Sequence, residues 1–160
     1  MRDNSLIDRA KPVLLLAEDN ALIRRLLAAS LDDDAFTIVA VARGEQAIEA
    51  VLQRSPAVAV LDIYMPGKTG IEICRTIRET PATRNCVVIM LTGSSEAEDR
   101  ALALAAGANS YLTKPFSPAQ LRTLVHNALS GHRSAGYESN DVYSSGSPQP
   151  SSSSGEEADK

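Results

Sequence analysis

Residues 57–70 read AVAVLDIYMPGKTG, and this stretch decides the fold class. Val58–Leu61 is an unbroken apolar run, which is typical of a parallel strand that is buried on both faces. The run ends on Asp62, and Pro66-Gly67 breaks the chain shortly afterwards. A buried parallel strand that ends on a carboxylate predicts an α/β sheet with polar side chains at the carboxyl ends of its strands.

Three other apolar runs have the same form, each followed by polar residues: Val13–Ala17 by Glu18-Asp19, Cys86–Leu91 by Thr92, and Tyr111–Leu112 by Lys114-Pro115. The carboxyl ends of parallel strands meet at one edge of a sheet. We therefore expect three carboxylates, one hydroxyl and one ammonium group to gather there.

Helical segments alternate with these runs and with a fifth strand-like segment, Phe36–Val41. The spacing of apolar residues predicts helices over 21–31, 44–53, 96–106 and 118–129. A further helix is predicted to start at Thr69 or Gly70, with Ile71, Cys74 and Ile77 at helical spacing. Ser95, with Glu98 three places later, is the pattern of a capping box for the fourth helix. Five β/α units predict a parallel sheet covered by helices on both faces, a three-layer α/β/α arrangement.

Two details of the helices are further expectations. The apolar face of the first helix is predicted to comprise Leu22, Ile23, Leu26, Leu27 and Ala29. The arginines of the later helices, Arg75, Arg78 and Arg122, look like solvated surface residues.

Composition suggests one domain at 12–131, an N-terminal extension at 1–11 and a tail at 132–160. The tail is rich in Ser, Gly, Pro and acidic residues, so it is predicted to be disordered because it cannot bury enough apolar surface. From Gly131 onward there are two basic and five acidic residues, which leaves residues 1–130 with a net charge of -1.

A nearly neutral domain gives no electrostatic reason to expect binding to nucleic acid or to an anionic membrane. Cys74 and Cys86 are too few for a disulfide framework and are expected to be small buried thiols. Met1 to Lys11 lacks the apolar stretch of a signal peptide, and no apolar run is long enough to cross a bilayer. We therefore expect a soluble, cytoplasmic protein.

Glu18, Asp19 and Asp62 could not converge without raised pKa values or a cation, because two unit charges about 4 Å apart repel by roughly 4 kcal/mol at an effective dielectric of 20. Clustered carboxylates suit a hard divalent ion such as Mg²⁺. Lys114 would add a fixed positive charge and Thr92 a hydroxyl donor. This combination is what phosphoryl transfer requires, and a carboxylate can itself be the acceptor.

Over about residues 12–131 the chain resembles the receiver domain of two-component response regulators, and of single-domain, chemotaxis-type regulators in particular. The resemblance rests on the following residues: Glu18-Asp19, Asp62, Met65-Pro66, Gly70, Thr92-Gly93, Ala106-Gly107-Ala108 and Tyr111–Phe116. It implies a flavodoxin-like fold with five helices and the strand order 2-1-3-4-5.

The resemblance also implies roles for individual residues. Asp62 would accept the phosphoryl group. Mg²⁺, with Mn²⁺ as an alternative ion, would be held by Asp19, Asp62 and the backbone carbonyl of Tyr64, with Glu18 acting largely through water. Lys114 would pair with the phosphoryl oxygens.

A switch is implied as well, in which Thr92 moves to bond a phosphoryl oxygen and Tyr111 swings inward behind it. This change would remodel the surface formed by the fourth helix, the fifth strand and the fifth helix. The side chain of Tyr64, two residues after Asp62, is predicted to influence the lifetime of the phosphorylated state. The Lys114–Pro115 peptide bond is expected to be cis, as is frequent in the family.

The implied partners are a sensor histidine kinase or a histidine phosphotransfer protein, and a downstream protein target. The chain would be a monomer or a weak, phosphorylation-dependent dimer, and a signalling phosphoacceptor instead of an enzyme. The main alternative is a phosphohydrolase of the haloacid-dehalogenase type, which would need a second Asp where Tyr64 stands. Flavin or dinucleotide binding is the third alternative, but the first strand is followed by acids and lacks a Gly-rich turn.

Overall fold

The computed structural model describes residues 10–32, 34–93 and 97–131, in which strands and helices alternate. The ten elements are β1 (Val13–Ala17), α1 (Ala21–Ser30), β2 (Thr37–Val41), α2 (Gly44–Arg54), β3 (Val58–Asp62), α3 (Gly70–Glu79), β4 (Val87–Thr92), α4 (Ala97–Ala105), β5 (Ser110–Thr113) and α5 (Pro118–Leu129). The predicted N-terminal extension before residue 10, the capping residue Ser95 and the tail from residue 132 lie outside the described residues.

The five strands form one parallel sheet in the order β2-β1-β3-β4-β5, which confirms the prediction. The central strand β3 is buried along its whole length, as expected from its continuous apolar run. Asp62 is the last residue of β3 and pairs in register with Leu91 of β4. Thr92, the last residue of β4, pairs in register with Thr113 at the end of β5.

Alternate side chains of the strands pack into two cores, one on each face of the sheet. Leu14 and Leu16 of β1 belong to the core that Leu27 of α1 and Leu121 and Val125 of α5 cover. The opposite core is covered by α2, α3 and α4, through residues that include Val51, Ile73, Ile77 and Ala103. The predicted three-layer α/β/α architecture is therefore confirmed.

Side-chain caps explain where several helices begin. Thr69 and Glu72 form a reciprocal capping box at the start of α3, and Ser117 and Gln120 form another at the start of α5. Pro118 occupies the first turn of α5. Gly107 has a φ of +98°, so this glycine provides the left-handed turn that follows α4.

The predicted apolar face of α1 was partly wrong. Leu27 is buried, whereas Leu22 and Leu26 are exposed by 77% and 58%. The sheet and α5 cover only one side of α1, and its apolar residues extend around a wider arc than that side.

The expectation that Arg78 is a solvated surface residue was also wrong. Its guanidinium donates hydrogen bonds to the backbone carbonyls of Gly107, Arg84 and Cys86 and to the side chain of Asn109, at 2.7–3.0 Å. These bonds fasten the end of α3 to the loops before β4 and β5.

No helix in the described part of the chain is long and apolar enough to cross a bilayer.

Candidate functional site

Three carboxylates meet at the carboxyl ends of β1 and β3, two neighbouring inner strands of the sheet. One oxygen from each of Glu18, Asp19 and Asp62 lies within 4.8 Å of the others. Glu18 and Asp62 are buried, with exposures of 1% and 5%, while Asp19 is exposed. The structure therefore brings together the three acids that the sequence pattern singled out.

The loop after β1 is braced from α1. Asn20 caps this helix by accepting hydrogen bonds from the backbone N–H groups of Leu22 and Ile23. One turn later, the Arg24 guanidinium donates to the backbone carbonyls of Glu18 and Asp19 at 2.9 and 3.2 Å. These contacts hold the acidic pair at the sheet edge.

Lys114 reaches the acids from the end of β5. Its Nζ lies 2.8 Å from Oε2 of Glu18 and 3.1 Å from Oδ2 of Asp62. Its backbone N–H donates to the carbonyl of Thr92 at 2.7 Å, which continues the pairing of β5 with β4. The Lys114–Pro115 peptide bond is cis, as expected.

Burial and opposite charge act together on the ionisation of this site. Burial raises the pKa of Glu18, the hydrogen bond from Lys114 lowers it, and the charge of Asp62 raises it again, so that the net direction is upward. For Lys114, burial alone would lower the pKa. The hydrogen bonds and negative charges of Glu18 and Asp62 together outweigh that effect and raise the pKa, so the ammonium stays charged.

The donor set fits a hard divalent cation. Two of the three carboxylates are buried, and the Lys114 ammonium faces them. Oxygen ligands at this density are what Mg²⁺ binds in proteins, usually through one or two carboxylates with several waters retained. The metal that the sequence led us to expect therefore has suitable ligands at this edge.

A glycine allows α3 to start against the end of β3. A Cβ atom at Gly70 would overlap the backbone carbonyl of Asp62, so only glycine fits at this close approach. The Gly70 N–H donates to the carbonyl of Ile63 at 3.0 Å. The conformation of the residues that follow Asp62 thus depends on a residue without a side chain.

Tyr64 and Thr92 lie at the same edge and share a contact that sequence reasoning missed. The Tyr64 N–H donates to Oδ1 of Asp62 at 3.3 Å, and its phenol donates to Oδ1 of Asp99 at 2.7 Å. The Thr92 hydroxyl lies 3.5 Å from the other oxygen of Asp99. An acidic residue in the first turn of a helix is expected to interact favourably with the helix dipole whether or not it has another role. The sequence therefore gave no indication that Asp99 differs from Glu98.

Tyr111 of β5 contacts Arg100 in the first turn of α4. Its side chain is buried, with 7% exposure, and the Arg100 guanidinium lies 4.5 Å from the ring centroid. This distance is that of a cation–π contact. The inward movement of Tyr111 stays a prediction.

Comparison with known proteins identifies the family. The profile of the response regulator receiver domain matches residues 14–126. The chain belongs to the response regulator receiver family. Receiver domains are phosphoacceptors of two-component signalling, and the cluster of Glu18, Asp19 and Asp62 is their acidic Mg²⁺ site. The receiver is a signalling module, not a conventional enzyme, which sets aside the phosphohydrolase and nucleotide-binding alternatives.

Solved structures agree with this identification. The receiver domain of sensor histidine kinase PA1611 from Pseudomonas aeruginosa, with magnesium coordinated in the active-site cleft, is 30% identical at a TM-score of 0.69. It covers 76% of this chain, and 99% of its own chain is covered. The BeF3-activated receiver domain of DrrB, an OmpR/PhoB homologue from Thermotoga maritima, is also 30% identical, with a TM-score of 0.69 and coverages of 75% and 98%.

Curated relatives include longer proteins. The phosphate regulon transcriptional regulatory protein PhoB of Rhizobium meliloti is 36% identical over 114 residues, which are 71% of this chain and 50% of the relative. The chain spans about half the length of the curated relatives it matches.

Proposed function

We propose that Asp62 is the phosphoacceptor of this receiver, and that a sensor histidine kinase or a histidine phosphotransfer protein is the phosphoryl donor. The observation that carries the proposal is the position of the Lys114 ammonium, which bonds both Asp62 and Glu18 within a cluster of carboxylates. An ammonium and a divalent cation beside one carboxylate neutralise the oxygens of an incoming phosphoryl group.

In the transfer, an oxygen of Asp62 attacks the phosphorus of the donor's phosphohistidine. The bond from phosphorus to the imidazole nitrogen breaks, and the imidazole leaves with a proton taken from solvent. Lys114 pairs with the phosphoryl oxygens as it leaves its present contact with Asp62. Mg²⁺, or Mn²⁺ in its place, would be held by Asp19, Asp62 and the backbone carbonyl of Tyr64, with Glu18 acting through water, and would neutralise the phosphoryl charge.

The switch would run through Thr92 and Tyr111. The added phosphoryl group carries a charge of about -1.5 to -2 near neutral pH, and it needs a hydroxyl or ammonium partner on each side. Thr92 would become one such partner, and its position at the end of β4, the strand next to β3, supports this role. Tyr111 lies on β5 beneath α4 and would transmit the change to the surface formed by α4, β5 and α5.

We assign the output to contact with a downstream protein. The domain, which we place at residues 12–131, carries a net charge of -2 from eleven basic and thirteen acidic residues, so its own surface offers no general attraction to nucleic acid. We propose a cytoplasmic receiver that is monomeric or forms a weak dimer when phosphorylated.

The test is phosphorylation by acetyl phosphate in the presence of Mg²⁺, followed by mass spectrometry of the intact chain. We expect one acid-stable, base-labile phosphoryl group per molecule, no label with EDTA, and no label on the Asp62→Ala variant. Asp34→Ala is the matched control, because the Asp34 side chain is fully exposed and pairs only peripherally with Lys11 at 3.3 Å. A folded wild-type chain without label, or equal labelling of Asp62→Ala, would overturn the proposal.

A further inference from the structure

The first turn of α4 contacts the site through two consecutive residues. Asp99 receives the Tyr64 phenol at 2.7 Å and lies 3.5 Å from the Thr92 hydroxyl, and Arg100 covers the Tyr111 ring. The partners of Asp99 come from the loop after β3 and from the end of β4. The Asp99 carboxylate therefore connects the loop that follows Asp62 with the end of the neighbouring strand β4.

The helix dipole alone does not explain why Asp99 is buried. An acid in the first turn of a helix gains from the dipole even when it is exposed, as at Glu98 in the same turn. Asp99 is only 6% exposed, and burying a carboxylate is costly unless hydrogen bonds replace its lost water. The hydroxyls of Tyr64 and Thr92 provide such bonds, so the burial of Asp99 is tied to the positions of these two side chains.

We propose that Asp99 is a positioning residue that ties α4 to the phosphoacceptor site: it holds Thr92 in its unphosphorylated arrangement and keeps the Tyr64 phenol beside the site in both states. The proposal rests on the proposed function, in which the Thr92 hydroxyl bonds the phosphoryl group. That hydroxyl has one proton to donate, so it cannot donate to Asp99 and to a phosphoryl oxygen at the same time. Phosphorylation must therefore break the contact between Thr92 and Asp99.

The two hydrogen bonds of Asp99 differ in strength. A separation of 3.5 Å is at the long limit of hydrogen bonding, whereas 2.7 Å is the usual distance for a strong hydroxyl–carboxylate bond. Phosphorylation therefore breaks the contact between Thr92 and Asp99. The bond from Tyr64 to Asp99 persists and keeps the phenol beside the site. α4 is released from β4 but stays attached to the loop after β3.

Asparagine and alanine at position 99 separate these two contacts. In the Asp99→Asn variant the single side-chain oxygen can still accept the Tyr64 bond, but the amide nitrogen cannot accept from Thr92. Alanine loses both contacts. The contact between Thr92 and Asp99 is present only in the unphosphorylated state, so it stabilises that state relative to the phosphorylated one. Both variants lose this contact and should therefore bind beryllofluoride, a phosphoryl analogue, about 2- to 10-fold more tightly than wild type.

The rate of dephosphorylation should separate the variants. Asp99→Ala removes the bond from the Tyr64 phenol to Asp99 and should lose its phosphoryl group about twofold or more faster, because a phenol that is held less firmly restricts the attacking water less. Asp99→Asn should dephosphorylate at the wild-type rate. Tyr64→Phe should lose its phosphoryl group at the same rate as Asp99→Ala. It should bind beryllofluoride with wild-type affinity, since it leaves the contact between Thr92 and Asp99 unchanged.

The experiment is calorimetric titration of the full chain with beryllofluoride in Mg²⁺, together with decay of acetyl phosphate-labelled protein followed by mass spectrometry. Glu98→Gln, an exposed change in the same turn, is the control and should behave as wild type. Tighter binding by both Asp99 variants supports the proposal, and unchanged or weaker binding by Asp99→Asn overturns it. If alanine prevents folding, as circular dichroism would show, the asparagine variant decides. A wild type that neither binds beryllofluoride nor labels refutes the proposed function instead.

Discussion

Replacing Lys114 by methionine removes the ammonium that lies between Glu18 and Asp62 and keeps most of the apolar length of the side chain. At an effective dielectric of 20, contacts of 2.8 and 3.1 Å each correspond to about 5–6 kcal/mol of gross attraction. Desolvation offsets most of this attraction. Removing one member of a buried ion pair costs about 3–5 kcal/mol, because the other charge is left without compensation.

The Lys114 side chain is 23% exposed, so solvent screens part of this effect. We therefore expect Lys114→Met to lower the free energy of unfolding by about 2–3 kcal/mol in EDTA. In saturating Mg²⁺ the loss should be clearly smaller, because the cation neutralises the same carboxylates. By linkage, the variant should bind Mg²⁺ more tightly than wild type.

Urea unfolding followed by circular dichroism, in EDTA and in Mg²⁺, measures both quantities. Lys68→Met is the matched control, since Lys68 pairs with Glu72 at 3.2 Å on the exposed surface and its removal should change little in either buffer. An equal loss of stability with and without Mg²⁺ would mean that Lys114 acts through packing, and the electrostatic reasoning would be refuted.

Three other outcomes can be predicted from the burial and packing of particular residues. Burial raises the pKa of Glu18, so the protonated side chain contributes stability that is present below the ordinary pKa of 4.5 and is lost as the pH rises through the raised pKa of the folded state. In urea titrations without metal, wild type should therefore lose stability relative to Glu18→Gln toward neutral pH. A difference between the two proteins that stays constant with pH would count against this. Gly70→Ala should cost about 1–3 kcal/mol in urea unfolding, because its Cβ would overlap the carbonyl at the end of β3, whereas Gly93→Ala enters open space and should not; equal effects would contradict the close approach. Burial raises the pKa of Cys74, and that of Cys86 to about 12, so neither thiol should react with Ellman's reagent until the chain is unfolded; rapid labelling of the native protein would disprove their burial.

The sequence predicted the fold and the central acids because both follow from one geometric rule. A continuous apolar run marks a doubly covered parallel strand, and parallel strands end together, so Asp62, Glu18 and Lys114 had to approach each other once the strands were found. The strand order came only from the family resemblance, because apolar runs do not specify which strands are neighbours.

Arg78 and Asp99 were not predicted, for the opposite reason. A polar residue on an amphipathic helix gives the same pattern whether it faces water or a hydrogen-bonding group of another element. Arg78 bonds carbonyls on two loops, and Asp99 bonds side chains at two strand ends. Leu22 was wrongly placed in the core because helical periodicity shows an apolar arc but not how much of that arc the sheet covers.

The central claim is that the acids and the lysine at this edge hold a phosphoryl group on one particular side chain. Borohydride reduces an acyl phosphate to an alcohol, so a phosphorylated aspartate becomes homoserine, which tandem mass spectrometry locates in the sequence. After treatment with acetyl phosphate and Mg²⁺, we expect homoserine at position 62 and at no other acid of the site. A reduced side chain at position 18 or 19, or the absence of homoserine from a folded, treated chain, would contradict the claim.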